Sequence, residues 1–441
     1  MIKKIIFFCF SALFFLVAAI YNGYPLVYSD TSTYLASGFE LETPADRPIT
    51  YGLFLRISSF NGLSLWLTIF LQSLLLVYLI YRLLVLLKTE NVYVKTLVVI
   101  LICVFTTGIS WTSSQLIADV FTPMLLLIWA LLFLDKDASK KRILFYGIFL
   151  FFVSSMHMSH FIMSVIFSVI LLLGRLNQRM KTRISLLKIA VIILASGMSF
   201  VVFASSYSKY KHVFFVAKMN ESKLLKKILD EQCGNYKLKL CAFKDSLPET
   251  ANDFIWDKKS PLNKLGGYKE VKPEFNKIIS IALSNRNYLT DIFANSCKES
   301  SKQIVSYGIG DGNGVFMEGT QLYERITKYV PGEITSYSES RQQKGILVSM
   351  SAINMYFSIM MIISFSGILL VFIYRKINFN LKVIGLILLV GILINAVVCG
   401  SLAPVADRFG CRVVWFVVFY MSILFIDVKP FSKNNLSHEK K

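Results

Sequence analysis

The sequence predicts an all-α polytopic membrane protein with about ten transmembrane helices. Of its 441 residues, 55% are hydrophobic and only 17% are charged, whereas about 25% of the residues in a soluble domain are charged. A transmembrane helix needs about 20 predominantly apolar residues. Ten apolar stretches approach or reach this length: 5–20, 63–87, 96–110, 120–134, 143–156, 161–173, 184–205, 349–374, 383–399 and 413–426.

The net charge of +20 is the second observation. A strongly basic chain can bind nucleic acid, but this one has no nucleic-acid-binding motif and no single helix that gathers the basic residues. In membrane proteins, Lys and Arg accumulate in the cytoplasmic loops. We therefore predict contact with membrane lipids and no nucleic-acid partner.

The positions of the basic residues predict the topology. The fifth and sixth stretches are short, so they form either two crossings or one tilted helix. Basic residues precede and follow this pair: Lys136, Lys140, Lys141 and Arg142, then Arg175, Arg179, Lys181 and Arg183. If both groups are cytoplasmic, the chain must cross the membrane twice between them. Lys429 and Lys433 follow the last stretch, so we expect both termini in the cytoplasm of a bacterial inner membrane. We expect the first stretch to be retained as a span, the alternative being a cleaved signal peptide.

This topology divides the chain into four parts. Residues 1–206 form an N-terminal transmembrane module with interfacial helices within 21–62, and 207–345 form a soluble insert outside the cytoplasm, α-rich or α+β. Residues 346–428 form the C-terminal transmembrane helices, and 429–441 form a cytoplasmic tail. An oxidising outer space favours disulfides, with Cys233–Cys241 as the first candidate and Cys399–Cys411 as a weaker one.

The segment 28–57 directly follows the first predicted span and alternates charged with apolar residues. Ser29 or Asp30 suits the N-cap of a short helix. This helix carries Tyr34 on its face and ends before a second helix start at Asp46, Arg47 and Pro48. Proline is favoured in the first turn of a helix, and Asp46 is expected to cap that turn and orient Arg47.

The second short helix has apolar residues on one face and Arg56 near its end. We expect Ile49, Leu53 and Leu55 or Ile57 to face lipid, with Arg56 reaching back to water. Two such helices suit the membrane interface. They would hold Asp30 and Arg47 in an external cavity.

Arg408 and Arg412 are unusual because basic residues are depleted on the outer side of membrane proteins. They lie four positions apart, on one helix face, at the predicted mouth of the last span. Arginine binds phosphate oxygens in a bidentate manner. We therefore predict that Arg47, Arg408 and Arg412 bind a phosphate. The alternative is an ion pair between Arg408 and Asp407 with Arg412 reaching to water.

Three more polar residues lie near the outer ends of predicted spans. An intramembrane acid such as Asp119 is a functional candidate by default. His157 and His160 lie three positions apart, which fits two ligands of a shared divalent metal completed by Asp30 or Asp119. The alternative is that they are hydrogen-bonded residues lining the cavity. The glycine-rich run at 307–319 lacks the Gly-Lys-Ser/Thr of a phosphate loop, so we expect a loop near the site.

An acid just beyond the first span, followed by Tyr-Leu and then by Arg-Pro-x-x-Tyr at a second interfacial helix, resembles the GT-C superfamily. These are multi-span glycosyltransferases that use sugars linked to lipid phosphates. The matching positions are Asp30, Tyr34, Arg47, Pro48 and Tyr51. The late run DRFGCRVVWFVVF is similar to an Arg-aromatic element of such enzymes. In most bacterial relatives the soluble domain follows the last span, whereas here it is inserted between the seventh and eighth stretches.

The resemblance implies a glycosyltransferase with Asp30 as catalytic base and with Tyr34, Asp46, Tyr51, Asp119, His157 and His160 lining the substrate cavity. The same residue types fit this chemistry on physical grounds, because the lipid phosphate is already a good leaving group. What is needed is a carboxylate that accepts the acceptor's proton and cations that hold the phosphate. The donor would be a polyprenyl-phosphate-linked sugar, and the acceptor a glycan, a lipid or a protein.

Three other functions stay open as alternatives. An O-antigen ligase or polymerase also uses Arg and His on the outer side, with a polyprenyl-diphosphate donor. A lipid or solute transporter would show repeated halves with matching broken spans, which this sequence lacks. A membrane-bound O-acyltransferase would require a His deep within a span.

Overall fold

The computed structural model of the protein describes residues 2–176, 185–203 and 205–427. Within these ranges the chain forms helices and connecting segments and no strand, which confirms the predicted all-α class. The segment of the predicted insert is accordingly α-rich where it is described, and it has no β-strand there. The basic residues Arg179, Lys181, Arg183, Lys429 and Lys433, and the predicted tail 429–441, lie outside the described residues.

The N-terminal half consists of eleven helices within the described ranges. They are α1 Ile2–Phe15, α2 Val17–Asn22, α3 Ser29–Glu40, α4 Thr50–Ser58, α5 Leu65–Leu86, α6 Val92–Thr106, α7 Ile109–Ser114, α8 Phe121–Leu134, α9 Lys140–Ser155, α10 Met158–Gly174 and α11 Leu186–Phe203. A 3-10 turn, Ala118–Val120, leads into α8. The fifth and sixth apolar stretches form the two separate helices α9 and α10, with a break at Met156 and His157, rather than one continuous helix.

The C-terminal half contains shorter helices followed by long apolar ones. They are α12 Ser205–Glu221, α13 Leu224–Gln232, α14 Ala251–Trp256, α15 Pro261–Lys264, α16 Gly267–Glu270, α17 Lys272–Ser284, α18 Arg286–Val305, α19 Gln321–Tyr329, α20 Ile334–Glu339, α21 Met350–Tyr374, α22 Phe379–Leu402, α23 Asp407–Val414 and α24 Phe416–Asp427. Lys239–Phe243 and Pro331–Glu333 form 3-10 turns.

Five helical segments among the described residues are long and apolar enough to span a membrane: Leu65–Leu86, Leu186–Phe203, Met350–Tyr374, Phe379–Leu402 and Asp407–Ile426. Three shorter apolar helices accompany them, at Val92–Thr106, Ala118–Leu134 and Met158–Gly174. By their length and composition, the five long helices indicate a membrane protein. Several predicted spans are broken: the first at Leu16, between α1 and α2, and the third after Thr106.

The buried side chains form a main hydrophobic core and a second, separate one. The main core surrounds α8, whose residues are almost all buried. The second core is built within residues 213–288 of the predicted insert, around Phe254 and Phe275. Cys233 and Cys241 form a disulfide beside it, as the sequence predicts. Cys399 and Cys411 are buried and unbridged, so the weaker disulfide candidate is wrong.

The last part of the predicted insert packs on the N-terminal module instead of on the second core. Leu322 and Ile326 of α19 belong to the main core. The Glu333 carboxylate accepts hydrogen bonds from the Tyr24 hydroxyl and the Ser64 hydroxyl. The Gln342 side chain bonds both the N–H and the C=O of Val27. These contacts fix the extended segment between α2 and α3, directly before Asp30.

The helices α3 and α4 cross in direct contact because both carry glycine at the crossing. A side chain at Gly38 would overlap the carbonyl of Gly52. The second helix begins at Thr50 rather than at Pro48, so the expectation that Asp46 caps it is wrong. Ile57 is exposed as expected, but Leu55 is completely buried against the main core, since it lies on the face of α4 turned toward α5.

Candidate functional site

Asp30 lies in the first turn of α3. The residue before the helix, Tyr28, donates its backbone N–H to the Thr31 hydroxyl, which closes the helix start. A carboxylate is stabilised at this end of a helix by the unpaired N–H groups and the helix dipole. The Asp30 side chain is about one-fifth exposed. The local sequence therefore fixes Asp30 at the start of α3 with its carboxylate partly exposed.

Two arginines from distant parts of the chain share the Asp30 carboxylate. Nη1 of Arg47 lies 2.9 Å from Oδ2 of Asp30, and Nη1 of Arg408 lies 3.3 Å from the same oxygen. Among the described residues, all hydrogen bonds and ion pairs of this carboxylate fall on Oδ2. Burial alone would raise the pKa of Asp30, but the Arg47 and Arg408 guanidinium groups outweigh it and lower the pKa. Asp30 is therefore ionised at neutral pH.

Arg47 is held on its other side by its chain neighbour. Its Nε and Nη2 donate to Oδ2 of Asp46, at 3.0 and 2.5 Å. Its guanidinium carbon lies 5.2 Å from the centre of the Tyr34 ring, a cation–π contact. Asp46 thus orients Arg47, as the sequence predicts, even though it does not cap α4.

Arg408 opens α23 and turns its side chain toward Asp30. Its guanidinium carbon lies 4.4 Å from the centre of the Tyr28 ring, and its backbone N–H donates to the Asp311 carboxylate at 3.3 Å. Nη1 lies 3.9 Å from Oδ2 of Asp119, too far for a hydrogen bond. Both Nε of Arg408 and Oδ2 of Asp119 are buried without a hydrogen-bond partner among the described residues. Such buried groups are rare in folded proteins.

Arg412 lies one turn further along α23 and is completely buried. Its Nη1 donates to Oδ1 of Asp119 at 2.6 Å. Nε and Nη2 both donate to the Asn395 side-chain oxygen, at 3.1 and 2.8 Å, and Nη2 lies 3.2 Å from Sγ of Cys399. All three guanidinium nitrogens are therefore engaged inside the protein.

These contacts join acids and arginines alternately into one ion-pair chain: Asp46, Arg47, Asp30, Arg408, Asp119 and Arg412. Its first four members are partly exposed and its last two are buried. The chain therefore runs from the cavity surface into the protein interior. All six residues are ones the sequence predicts to belong to the site.

Tyr34 and Tyr51 form the apolar wall behind Arg47. Their rings meet edge to face with centres 4.7 Å apart, and burial raises the pKa of both hydroxyls. The Tyr51 hydroxyl donates to the Gln72 side chain of α5 at 3.2 Å. Gln72 in turn donates to the carbonyls of Ser113 and Gln115. Both tyrosines therefore support the site and cannot ionise near neutral pH.

The two histidines do not form a metal centre in the described part of the chain. Their ring centres are 5.6 Å apart. His160 is buried, with one ring nitrogen 2.9 Å from the Thr122 hydroxyl and the other 2.8 Å from the Val153 carbonyl. His157 contacts Ser159. No group of three His, Cys, Asp or Glu side chains suited to a metal occurs among the described residues, so the geometry favours the hydrogen-bonding alternative.

The glycine-rich run lies over the ion-pair chain. Gly312 has φ of +72°, and a side chain there would fall inside the Tyr28 ring. The Asn313 side chain accepts a hydrogen bond from Gln115 at 3.0 Å. Gly308, Ile309 and neighbouring residues line a small cavity with Asp119 and Arg408. We call residues 308–313 the glycine loop.

Sequence reasoning missed four residues that build the site: Tyr28, Asp311, Asn395 and Gln115. Tyr28 and Asp311 lie within segments that the sequence marks as candidates, beside Asp30 and inside the glycine run. Asn395 is a polar residue in an apolar stretch, and this is the signal that could have found it. Gln115 offers no comparable signal.

No protein-family model, no curated protein and no solved structure matches this chain.

Proposed function

We propose that this protein is a GT-C type membrane glycosyltransferase. It transfers a sugar from a polyprenyl-phosphate donor to an acceptor on the outer side of a bacterial inner membrane. One observation carries the proposal: the partly exposed carboxylate of Asp30 lies between the partly exposed guanidinium groups of Arg47 and Arg408. A carboxylate base and two phosphate-binding cations at one point are what this transfer requires.

Asp30 acts as the base in the proposed reaction. The acceptor hydroxyl attacks the anomeric carbon from the face opposite the phosphate, and its proton passes to Asp30. The bond between that carbon and the phosphate oxygen breaks, and its electron pair stays on the polyprenyl phosphate. The configuration at carbon is therefore inverted. A weak base suffices because the leaving phosphate drives the reaction.

Arg47 and Arg408 hold the donor phosphate in this mechanism. Each guanidinium can present two N–H groups to phosphate oxygens. Both groups contact Asp30, so the phosphate competes with Asp30 for them. Donor binding therefore withdraws positive charge from the carboxylate and makes it a stronger base.

Arg412 takes a different role from the phosphate binding that its spacing predicts. It is completely buried, and all of its guanidinium nitrogens contact Asp119, Asn395 or Cys399. We assign it to positioning Asp119, whose other oxygen faces Arg408. Asp119 would then orient Arg408 toward the cavity.

The membrane topology is part of the proposal. We infer ten crossings with both termini in the cytoplasm, so that the residues around Asp30, Asp119 and Arg408 share the outer side. The five long apolar helices and the three shorter ones support most of these crossings. Reporter fusions at Asn252 and at the C-terminus should give opposite signals, and identical signals would contradict the inferred topology.

The experiment that tests the function is donor turnover by the purified full-length protein. It is incubated with a panel of polyprenyl-phosphate sugars, with the matching polyprenyl-diphosphate sugars, and with candidate glycan, lipid and protein acceptors. We expect release of polyprenyl phosphate from one of the monophosphate donors. Turnover of the diphosphate donors alone would favour the ligase or polymerase alternative. No turnover of any donor would overturn the proposal.

A further inference from the structure

A wide cavity lies apart from the ion-pair chain, against the helices of the second core. It encloses about 760 Å³. Its walls come from α12, α17 and α18, from Ile162 of α10, and from the end of α22 with Pro404 and Val405 just after it. We call it the insert groove. It lies where helices of the predicted insert meet the ends of two apolar helices.

The lining of the insert groove is largely apolar. Phe214, Phe215, Ile279 and Ile292 contribute to it. Leu283 is 49% exposed on this wall, although it is a large apolar side chain. Exposed apolar surface that is concave and contiguous indicates a binding site for an apolar group.

The polar part of the lining is dominated by lysine. Two of its five lysines are paired: Lys218 with Glu221 and Lys302 with Glu299, at 2.8 and 2.7 Å. The other three, Lys211, Lys223 and Lys298, are exposed. Among the described residues, no carboxylate lies within ion-pair distance of any of these three lysines. The groove therefore combines an apolar lining with three unpaired positive charges.

We infer that the insert groove binds an anionic lipid. The hydrocarbon chain lies on the apolar wall, and the phosphate of the headgroup lies among Lys211, Lys223 and Lys298. A free phosphate would leave the apolar lining unused, and an uncharged lipid would leave the three lysines unused. This site involves none of the ion-pair-chain residues, and the inference does not depend on the proposed function.

The wall of the groove is continuous with the element that carries Arg408. Val405 lines the groove, and three residues span at most about 11 Å, so Arg408 lies close to it along the chain. The Gln303 side chain of α18 bonds both the N–H and the C=O of Ala406. A lipid bound in the groove therefore lies beside the start of α23.

Lipid retention by the full-length protein tests this inference. The protein is reconstituted with phosphatidylglycerol or phosphatidylcholine of identical acyl chains, extracted in mild detergent, and measured by native mass spectrometry. We expect preferential retention of phosphatidylglycerol. Each lysine near an anionic lipid surface contributes roughly fivefold in affinity. Replacing Lys211, Lys223 and Lys298 by Gln should therefore weaken retention on the order of 100-fold.

The matched control replaces Lys258, Lys259 and Lys269 by Gln. These three lysines are exposed on the same insert and do not line the groove, so retention should not change. A second variant, Leu283→Trp, narrows the groove without altering charge and should also reduce retention. Three outcomes would each overturn the inference. Both lysine variants could lose retention equally, or excess inorganic phosphate could displace the lipid. The protein could also retain the two lipids equally.

Discussion

Nη1 of Arg408 lies 3.3 Å from Oδ2 of Asp30, although 378 positions separate the two residues in the chain. The contact joins the start of the last long apolar segment to α3. Arg47 reaches the same oxygen from another side. In the proposed mechanism, a donor phosphate that binds the two arginines competes with this carboxylate, so we expect donor affinity to depend on both guanidinium groups.

We therefore expect Arg408→Ala to weaken binding of the polyprenyl-phosphate donor by about 1.5–3 kcal/mol, the range for a hydrogen bond to a charged group. Arg408→Lys should restore only part of the lost donor affinity, because an ammonium group cannot donate the two parallel hydrogen bonds of a guanidinium. Donor titration by isothermal calorimetry measures the effect. Arg56→Ala, on α4 but outside the ion-pair chain, is the control and should bind donor normally. Unchanged affinity in Arg408→Ala would exclude the phosphate role.

Replacement of Asp30 by Asn should abolish most activity and leave the fold intact. The amide keeps the size of the side chain and removes its charge, so turnover should fall by roughly 10²–10⁴-fold, the usual effect of losing a positioned base. Asp46→Asn is the matched control, since Asp46 contacts Arg47 and not Arg408. It should reduce turnover less than Asp30→Asn does. Donor turnover is measured for both variants, after their thermal unfolding midpoints are shown to match that of the native protein. Normal turnover in Asp30→Asn would show that another carboxylate is the base.

The buried end of the ion-pair chain should matter for stability. Asp119 and Arg412 pair at 2.6 Å and are both inaccessible. Removing one partner leaves an uncompensated buried charge, which typically costs 3–5 kcal/mol. We expect Asp119→Leu or Arg412→Met to lower the thermal unfolding midpoint strongly in detergent. The double variant should recover much of the lost thermal stability. If the effects of the two single variants simply add, the coupling between Asp119 and Arg412 is contradicted.

The spacing of Arg408 and Arg412 shows what sequence reasoning could and could not resolve. Four positions on a helix predict a shared face, and both residues do contact Asp119. The second residue is about 6 Å further along the helix axis, and this displacement carries it from the cavity surface into the interior. The spacing therefore predicts which helix face each side chain lies on, but not how deeply that side chain is buried. The partner that fixes the depth, Asn395, lies on α22 and has no fixed spacing to α23.

The two short helices α3 and α4 were predictable for a similar reason. Charged residues beside apolar ones indicate two short helices, the first carrying Asp30 and the second following Arg47. Their close crossing at Gly38 and Gly52 was not predicted, because nothing local links two glycines fourteen residues apart. Of the two alternatives Leu55 and Ile57, the structure exposes Ile57 and buries Leu55, and the sequence pattern alone does not distinguish them.

The pH dependence should reflect the two cations beside Asp30. Burial raises the pKa of Asp30, but Arg47 and Arg408 lower it below its ordinary value of 3.8. The ionised form therefore stabilises the fold at neutral pH, and that contribution is lost only as the pH falls through the lowered pKa. We expect kcat/KM to show no acid limb from Asp30 between about pH 5 and 7.

Loss of one of the two cations beside Asp30 should shift the acid limb of the kcat/KM profile to higher pH. In Arg408→Gln, burial is opposed by Arg47 alone, so the pKa of Asp30 rises and activity should decline at higher pH than in the native protein. Arg56→Gln should leave the profile unchanged. A native profile that already falls above about pH 6, or an unshifted limb in Arg408→Gln, would contradict the assignment of Asp30 as the titrating base.

The glycine loop allows an effect on the position of Arg408 to be distinguished from general backbone strain. Gly312 has φ of +72°, and a side chain there would overlap the Tyr28 ring, which contacts Arg408. Gly319 has a similar φ of +86° but has no atom within 4 Å of the place where a side chain would begin. Alanine at either position costs backbone strain of about 1 kcal/mol. Only Gly312→Ala should also displace Tyr28 and Arg408, so it should weaken donor binding while Gly319→Ala does not. Equal donor affinities in the two variants would mean that the loop does not position Arg408.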